Sequence, residues 1–389
     1  MRTPGSTSVS ARNAVALVFA LNGFCFASLF SRVPDLRNGL GLGNSALGLL
    51  LLAGALGSVL ALPAAGTLIR RTSAGAVVRA AGVAVAVGLP LAALGATQLD
   101  SVPVTAVGLF VYGVGVGVWD VAMNVEGAAV EVRLGRAILP RFHAGFSLGS
   151  VAGAGVAVAV TAAGVPLLAH YGVAGLAALA VLGATRAFLP VEPERHVAPA
   201  RNAWLEPRTL AVGLMVLAFA LAEGSANDWL ALALIDGHDA PPWVGTAGFA
   251  AFVTAMTVGR VAGTSLLDRY GRVSVLRATA VLALVGLLLF VLGPTPVVVG
   301  LGVVLWGLGA SLGFPVGMSA GADDPVRAAA RVSVVSTIGY VAFLAGPPVL
   351  GLVGDRVGTL RSLLVVAVLL VPTVLLVSVA RVPAPIEPS

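Results

Sequence analysis

Two short stretches hold acids and amides among apolar residues, a combination that can bind a polar solute or take up a proton. Residues 108–131 read GLFVYGVGVGVWDVAMNVEGAAVE, with Asp120, Asn124, Glu126 and Glu131. Asp120 and Asn124 lie four apart, so a helix puts them on one face. A charge inside a bilayer-spanning segment costs about 2.5–3.5 kcal/mol on insertion scales, so that face is expected to look at protein or water. The second stretch, AEGSANDW, carries Glu223, Asn227 and Asp228, and Glu223 and Asn227 are again four apart. Gly224 and Ser225 weaken the helix between them and suit a bend. Asn22, in the first apolar run, occupies the matching neighbourhood near the N-terminus. Tyr112, Trp119, Trp229, Trp306 and Tyr340 could stack on a ligand, although packing or interfacial anchoring is the default for each.

The elements that must position these residues follow from composition. Of 389 residues, 58% are hydrophobic and only 10% charged, with a mean hydropathy of +1.01. A soluble surface needs far more charge than that. Apolar runs such as VLALVGLLLFVLG (281–293) lack the period-2 alternation of a transmembrane β-barrel. The composition therefore predicts an all-α polytopic membrane protein. Twelve spans are expected, at about 13–31, 46–68, 77–97, 104–128, 142–163, 167–189, 209–234, 244–266, 274–293, 297–320, 333–353 and 360–380. The first run, Ala14–Phe30, lacks a small-residue cleavage site and reads as the first span, not a signal peptide. Residues 1–12 read as a polar, disordered tail and 31–45 as a loop broken by Pro34, glycines and asparagines. The proline-rich, charged segment 191–208 reads as a linker, and 382–389 as a second tail.

Net charge is +6, and every basic residue apart from the histidines is an arginine. Only Arg32, Arg37, Arg356 and Arg361 fall in one set of loops, which leaves 19 of the 23 arginines, Arg260 among them, on the other side. That asymmetry is a topology signal with both termini cytosolic, and it leaves no basic module for nucleic acid. The single Cys25 permits no intrachain disulfide, and no Cys/His metal spacing or nucleophile constellation is present, so neither a cofactor nor an enzyme is expected. The Gly113, Gly115, Gly117 run lies within a span and reads as close helix packing, not a phosphate loop. With no lysine there is no Walker-type Gly-Lys-Ser/Thr, which argues against ATP as the energy source.

The chain repeats. LIRRTSAGAVVR (68–79) follows span 2 as SLLDRYGRVSVLR (265–277) follows span 8, and a shift of 198 superposes Arg71 on Arg269 and Arg79 on Arg277. Two six-span halves, 13–190 and 209–381, are expected, related by an axis along the membrane normal. This organisation resembles the major facilitator superfamily over residues 13–380. Its loop signature, Gly-x-Leu-x-Asp-Arg-x-Gly-Arg, is matched by Gly66, Leu68 and Arg71 in the first half and by Asp268, Arg269, Gly271 and Arg272 in the second. Arg70, Ser73 and Thr264 depart from it. DVAMNVEGAAVE, RFHAGFSLG and EGSANDWLALAL resemble a bacterial inner-membrane branch related to fucose-permease-like transporters. That branch uses acids in spans 1 and 4, whereas span 1 here holds Asn22 and its nearest acid, Asp35, is in the outer loop.

The resemblance implies a monomeric secondary transporter in the bacterial cytoplasmic membrane. Rocking of the halves would expose a central site to each side in turn, with proton coupling through the buried acids. Drug or natural-product efflux by proton antiport, and a non-transporting receptor on the same fold, are the alternatives. Asp120, Asn124, Asn22, Glu223, Asn227 and Asp228 are the expected solute or proton ligands. Helix rise puts Asp120 about 24 Å from Val104 in a core of about 30 Å, in the cytosolic half, and Glu223 about 21 Å from Thr209. Glu126, turned about 120° from Asp120, is expected in a cytosolic gate with Glu131, Arg71, His143, Asp268, Arg269 and Arg272. Arg133, Arg141 and His143 are its expected partners.

Overall fold

The computed structural model describes residues 4–135, 138–189, 203–324 and 327–381, and holds no strand among them. Arg136, most of the expected linker (191–202) and the tail 382–389 lie outside the described residues. Among the described residues, twelve helices are long and apolar enough to cross a membrane. Spans 1 to 6 are Val9–Phe30, Asn44–Arg71, Ala74–Thr97, Val102–Leu134, Leu139–Ala162 and Leu167–Ala187. Spans 7 to 12 are Pro207–Gly237, Pro242–Tyr270, Arg272–Leu292, Pro296–Gly321, Ala330–Val357 and Thr359–Ala380. The protein is a multi-pass, all-α membrane protein.

Four departures from the expected layout have a local reason. The helix of span 1 starts at Pro4, so residues 4–12 continue it instead of forming a disordered tail. The first outer loop contains a short helix, Val33–Gly39, because Pro34 falls in its first turn, where a missing N–H costs nothing. Pro207 and Arg208 belong to span 7, not to the linker, with proline again in the first turn. Span 4 runs on to Leu134 and closes on Gly135, whose φ of 62° suits glycine.

The chain divides into two compact units: Met1–Glu194 with Leu230–Val253, and Arg195–Trp229 with Thr254–Ser389. In the first unit, span 4 packs on spans 2 and 3 through the glycine run. A Cβ at Gly113 would lie 2.0 Å from the Gly54 carbonyl oxygen, and one at Gly117 2.7 Å from that of Ser58. The expectation of close helix packing therefore holds. Span 1 meets span 5 along a second glycine seam, formed by Gly23, Gly149 and Gly153. Cys25 of span 1 is fully buried against span 6, its sulfur 3.6 Å from the Ala174 carbonyl.

At the end of this unit that carries the short Val33–Gly39 helix, Arg32 is buried and grips Asp35 through two bonds of 2.8 Å while donating to the Val165 carbonyl. Burial works against its charge, but the Asp35 carboxylate more than offsets this and raises its pKa. Arg37 forms a two-bond pair with Asp236 in the same unit.

The second unit is built around Val212, Met215, Val216 and Phe219 of span 7, which pack with Leu276 and Ala280 of span 9 and Leu312 and Val316 of span 10. Span 10 is broken: helix Pro296–Ala310 ends, Ser311 and Leu312 turn, and helix Gly313–Gly321 resumes.

A lattice of charges closes the arginine-rich end of this unit. Glu206 accepts from Arg331 at 2.6 Å, Arg327 at 2.8 Å and the Thr209 hydroxyl at 2.9 Å. Burial would raise its carboxyl pKa, but these donors outweigh burial and hold it below its ordinary value of 4.5. A depressed acid contributes stability that is complete above its unfolded pKa and is lost as pH falls through the folded one. Acidification from neutrality below pH 4.5 should therefore lower the melting temperature of the wild type more steeply than that of Glu206→Gln. Parallel melting curves for the two across that window would refute the linkage.

Candidate functional site

The first-unit residues gather on two turns of span 4 and the facing turn of span 1. Span 4 is longer than expected, and Asp120 lies about 27 Å from Val102 and about 21 Å from Leu134. Asp120 is therefore near the middle of its helix. The Asn124 amide folds back on it, donating to the Asp120 carbonyl at 2.9 Å and towards its carboxylate at 3.4 Å. Asp120 forms no ion pair among the described residues, and both side chains keep partial exposure. Asn22 is buried against the same part of span 4, its amide 3.8 Å from the Met123 sulfur. Trp119 and Tyr112 are buried, and neither the indole N–H nor the phenol oxygen has a hydrogen-bond partner among the described residues.

Glu126 and Glu131, expected in a gate, serve backbone amides. Glu126 is buried and accepts from the Leu189 N–H at 2.6 Å, tying span 4 to the chain just after span 6. Glu131 accepts from the Ile138 and Leu139 N–H groups at 2.7 and 2.8 Å. Those amides open span 5 and have no partner within the helix, and a negative charge there also suits the helix dipole. His143 is exposed, with its ring edge-on to Phe19 at 5.2 Å.

The two copies of the loop signature differ in backbone. Gly271 has φ +77°, a region that disfavours side chains, and it lets Arg272 start span 9 directly after Tyr270. At the matching place Ser73 is extended, and its hydroxyl accepts from the Ala76 N–H at 3.0 Å as the cap of span 3. Serine thus replaces glycine where the positive φ is gone. Arg71, Asp268 and Arg269 are exposed, Arg269 lying over the Tyr270 ring at 5.2 Å. Arg272 instead turns inward to Asp323, which also holds Arg208.

The second cluster departs most from expectation. After Ser225 the helix of span 7 widens into a π-turn over Ala226–Leu230. In a π-turn residues five apart align, so Asn227 no longer stacks one turn from Glu223 as the four-residue spacing predicted. The Ala226 N–H goes to the Glu223 carbonyl, and the Ala222 carbonyl accepts from the Trp306 indole at 3.1 Å and the Ser225 hydroxyl at 3.2 Å. Trp306 therefore has a structural task in holding the widened turn. Asn227, Asp228 and Trp229 are all buried, so Trp229 is not an interfacial anchor. The Asn227 side-chain oxygen and the Trp229 indole nitrogen have no hydrogen-bond partner among the described residues. Tyr340 is half-buried between the rings of Phe314 and Phe343.

Arg260 was expected among the loop arginines. It lies inside span 8, about 27 Å from Pro242 and about 15 Å from Tyr270, and pairs with Glu223 at 3.1 Å. A hydropathy window absorbs a single arginine, and only the facing acid distinguishes this one from its loop neighbours.

Comparison with known proteins supports a family assignment. The family model described as Major Facilitator Superfamily matches residues 15–347. An uncharacterised MFS-type transporter of Yersinia pestis is 32% identical over 351 residues, covering 89% of this chain and 90% of the relative. Among solved structures, the nucleoside transporter NupG is similar with a TM-score of 0.74 at 16% identity, covering 96% of this chain and 98% of its own. The E. coli fucose:proton symporter FucP gives a TM-score of 0.63 at 16% identity, covering 95% of this chain and 98% of its own. At that identity the two structures speak for the fold, while the family model and the relative speak for descent. With twelve spans and acids held at mid-helix in spans 4 and 7, the chain belongs to the major facilitator superfamily.

Proposed function

We propose that the protein is a monomeric, proton-coupled secondary transporter that moves a small, partly polar solute across the bacterial cytoplasmic membrane by alternating access. The observation that carries this reading is Asp120, an acid at the middle of span 4 with an amide folded on it and no cation paired to it among the described residues. A group of that kind is costly in a span and is kept where a solute or proton pathway uses it. The family's secondary transport and the printed substrates of two fold neighbours, nucleosides and fucose with protons, agree with it. Setting Arg260 inside its span leaves 18 of the 23 arginines on one side, which supports cytosolic termini and a division into six-span halves at 13–190 and 209–381.

The test uses whichever metabolite most raises the melting temperature of the purified protein. In proteoliposomes an inward proton gradient is expected to drive its accumulation. Asp120→Asn should abolish accumulation while equilibrium exchange continues, because asparagine keeps the hydrogen bonds but cannot carry the proton. Flux indifferent to the gradient, with Asp120→Asn fully active, would sink proton coupling. Binding without flux would support the receptor reading instead.

A further inference from the structure

Arg260 is held from two sides, by the backbone of span 10 and by its acid. Its Nε donates to the Ser311 carbonyl at 3.3 Å, in the break between the two helices of span 10. Span 8 reaches that break through Gly259 and Gly263. A Cβ at Gly259 would lie 2.4 Å from the Ser311 hydroxyl, and one at Gly263 2.4 Å from a Leu312 methyl. The guanidinium therefore has one backbone contact that does not involve Glu223.

The pairing with Glu223 uses only part of what a guanidinium offers. One nitrogen, Nη2, donates to both carboxylate oxygens at 3.1 Å. Strong arginine–carboxylate recognition uses two nitrogens on two oxygens at about 2.7–2.9 Å. Here Nη1 donates to no described residue, and the Arg260 side chain keeps 29% exposure against 16% for Glu223. A buried structural pair would be expected to close that fork, because an arginine inside a span is costly and its unmet donors add to the cost. Further along span 7, the buried Asn227 oxygen is a second polar atom without a partner.

We propose that Arg260 is the anchor for a carboxylate group on the transported solute, and that Glu223 is the internal carboxylate with which the solute competes. The proposal rests on the transport reading above and narrows its substrate to carboxylate-bearing solutes. A sugar or nucleoside needs hydrogen-bonding groups but no fixed cation. A carboxylate matches the planar fork of Nη1 and Nη2, and it would take Nη2 from Glu223.

Matched solutes differing only in charge test this on the full-length protein in detergent: glucuronate with glucose, gluconate with sorbitol, and lactate with propane-1,2-diol. A carboxylate is expected to raise the melting temperature where its neutral partner does not. Arg260→Gln should weaken that binding by at least about tenfold, as loss of one partner of a charged hydrogen-bonded pair does. Arg260→Lys should retain part of it, and Glu223→Gln should tighten it by removing the competing charge. Because Arg260→Gln leaves the half-buried Glu223 without its partner and could fail to fold, the double variant Arg260→Gln, Glu223→Gln is the decisive one. It should elute as a folded monomer and bind no carboxylate.

Equal stabilisation by the neutral partner, carboxylate binding that survives in the double variant, or no response to any acid of the set would each overturn the proposal. If a neutral solute is transported by the reconstituted wild type while no acid binds, the carboxylate anchor falls and the transport reading stands. If acids bind in this pattern but nothing is transported, the anchor stands and the transport reading falls.

Discussion

Replacing Asp323 by alanine is expected to destabilise the protein by about 3 kcal/mol, the lower end of the range for breaking a buried ion pair. Its side chain is 8% exposed and holds two arginines at once, Arg208 at 2.7 Å and Arg272 at 2.9 Å. Both arginines also donate to the last turn of span 12, Arg208 to the Val379 and Arg381 carbonyls and Arg272 to that of Ala380. One carboxylate therefore fixes the starts of spans 7 and 9 to the ends of spans 10 and 12. Without it, two like charges remain side by side. Arg208 and Arg272 keep 35% and 19% exposure and can partly rehydrate, which is why the expected cost is below the maximum. Thermal unfolding of the purified variants would measure it. Asp323→Asn, which keeps one acceptor oxygen, should lose less than Asp323→Ala. A melting temperature unchanged by Asp323→Ala would show that the lattice is dispensable.

The second large effect is expected at Gly149. Spans 1 and 5 touch backbone to backbone: a Cβ at Gly149 would lie 1.9 Å from the Ala20 oxygen, and one at Gly153 2.5 Å from that of Phe24. From the other side, a Cβ at Gly23 would lie 2.0 Å from the Phe146 oxygen. Small residues spaced four apart are the usual means of bringing membrane helices this close. None of these contacts is a flexible side-chain tip, so Gly149→Val can be accommodated only by parting the helices. The cost should reach or exceed the upper end of the 1–3 kcal/mol typical of overpacking. Loss of monodisperse protein on size-exclusion chromatography is the expected readout. Gly155→Ala, with nothing within 4 Å of the new methyl, should be neutral and serves as the control. Normal yield and melting of Gly149→Val would refute the seam.

These two sites show what could be read from the chain and what could not. The twelve spans follow from hydropathy, because a bilayer demands long apolar helices wherever they lie in the fold. The glycine run of span 4 was legible for the same reason: glycines at every second position in an apolar helix have few other uses. Asp120, Asn124 and Glu223 stood out because polar groups are rare in such surroundings. Their partners did not. Arg260 looked like one more arginine before a basic loop, and its meaning depends on an acid 37 residues away. Asp323 lay in a polar loop with no periodicity to single it out. The π-turn inserts one residue into a regular repeat, and a four-residue spacing gives no warning of it. Glu126 and Glu131 were grouped with nearby basic residues, whereas both satisfy backbone amides. Helix starts and chain turns all offer such amides, so composition cannot say which acid will meet them.

The buried thiol of span 1 has a practical consequence. Cys25 is the chain's only cysteine, and with no exposure it is out of reach of maleimides and other water-borne labels. The native chain can thus serve as its own cysteine-free background for spectroscopy. A cysteine introduced at an exposed position such as Val132 would carry the sole accessible thiol. Fluorophores or spin labels could then be attached in pairs, and distances followed through a transport cycle, without altering the packing around Cys25.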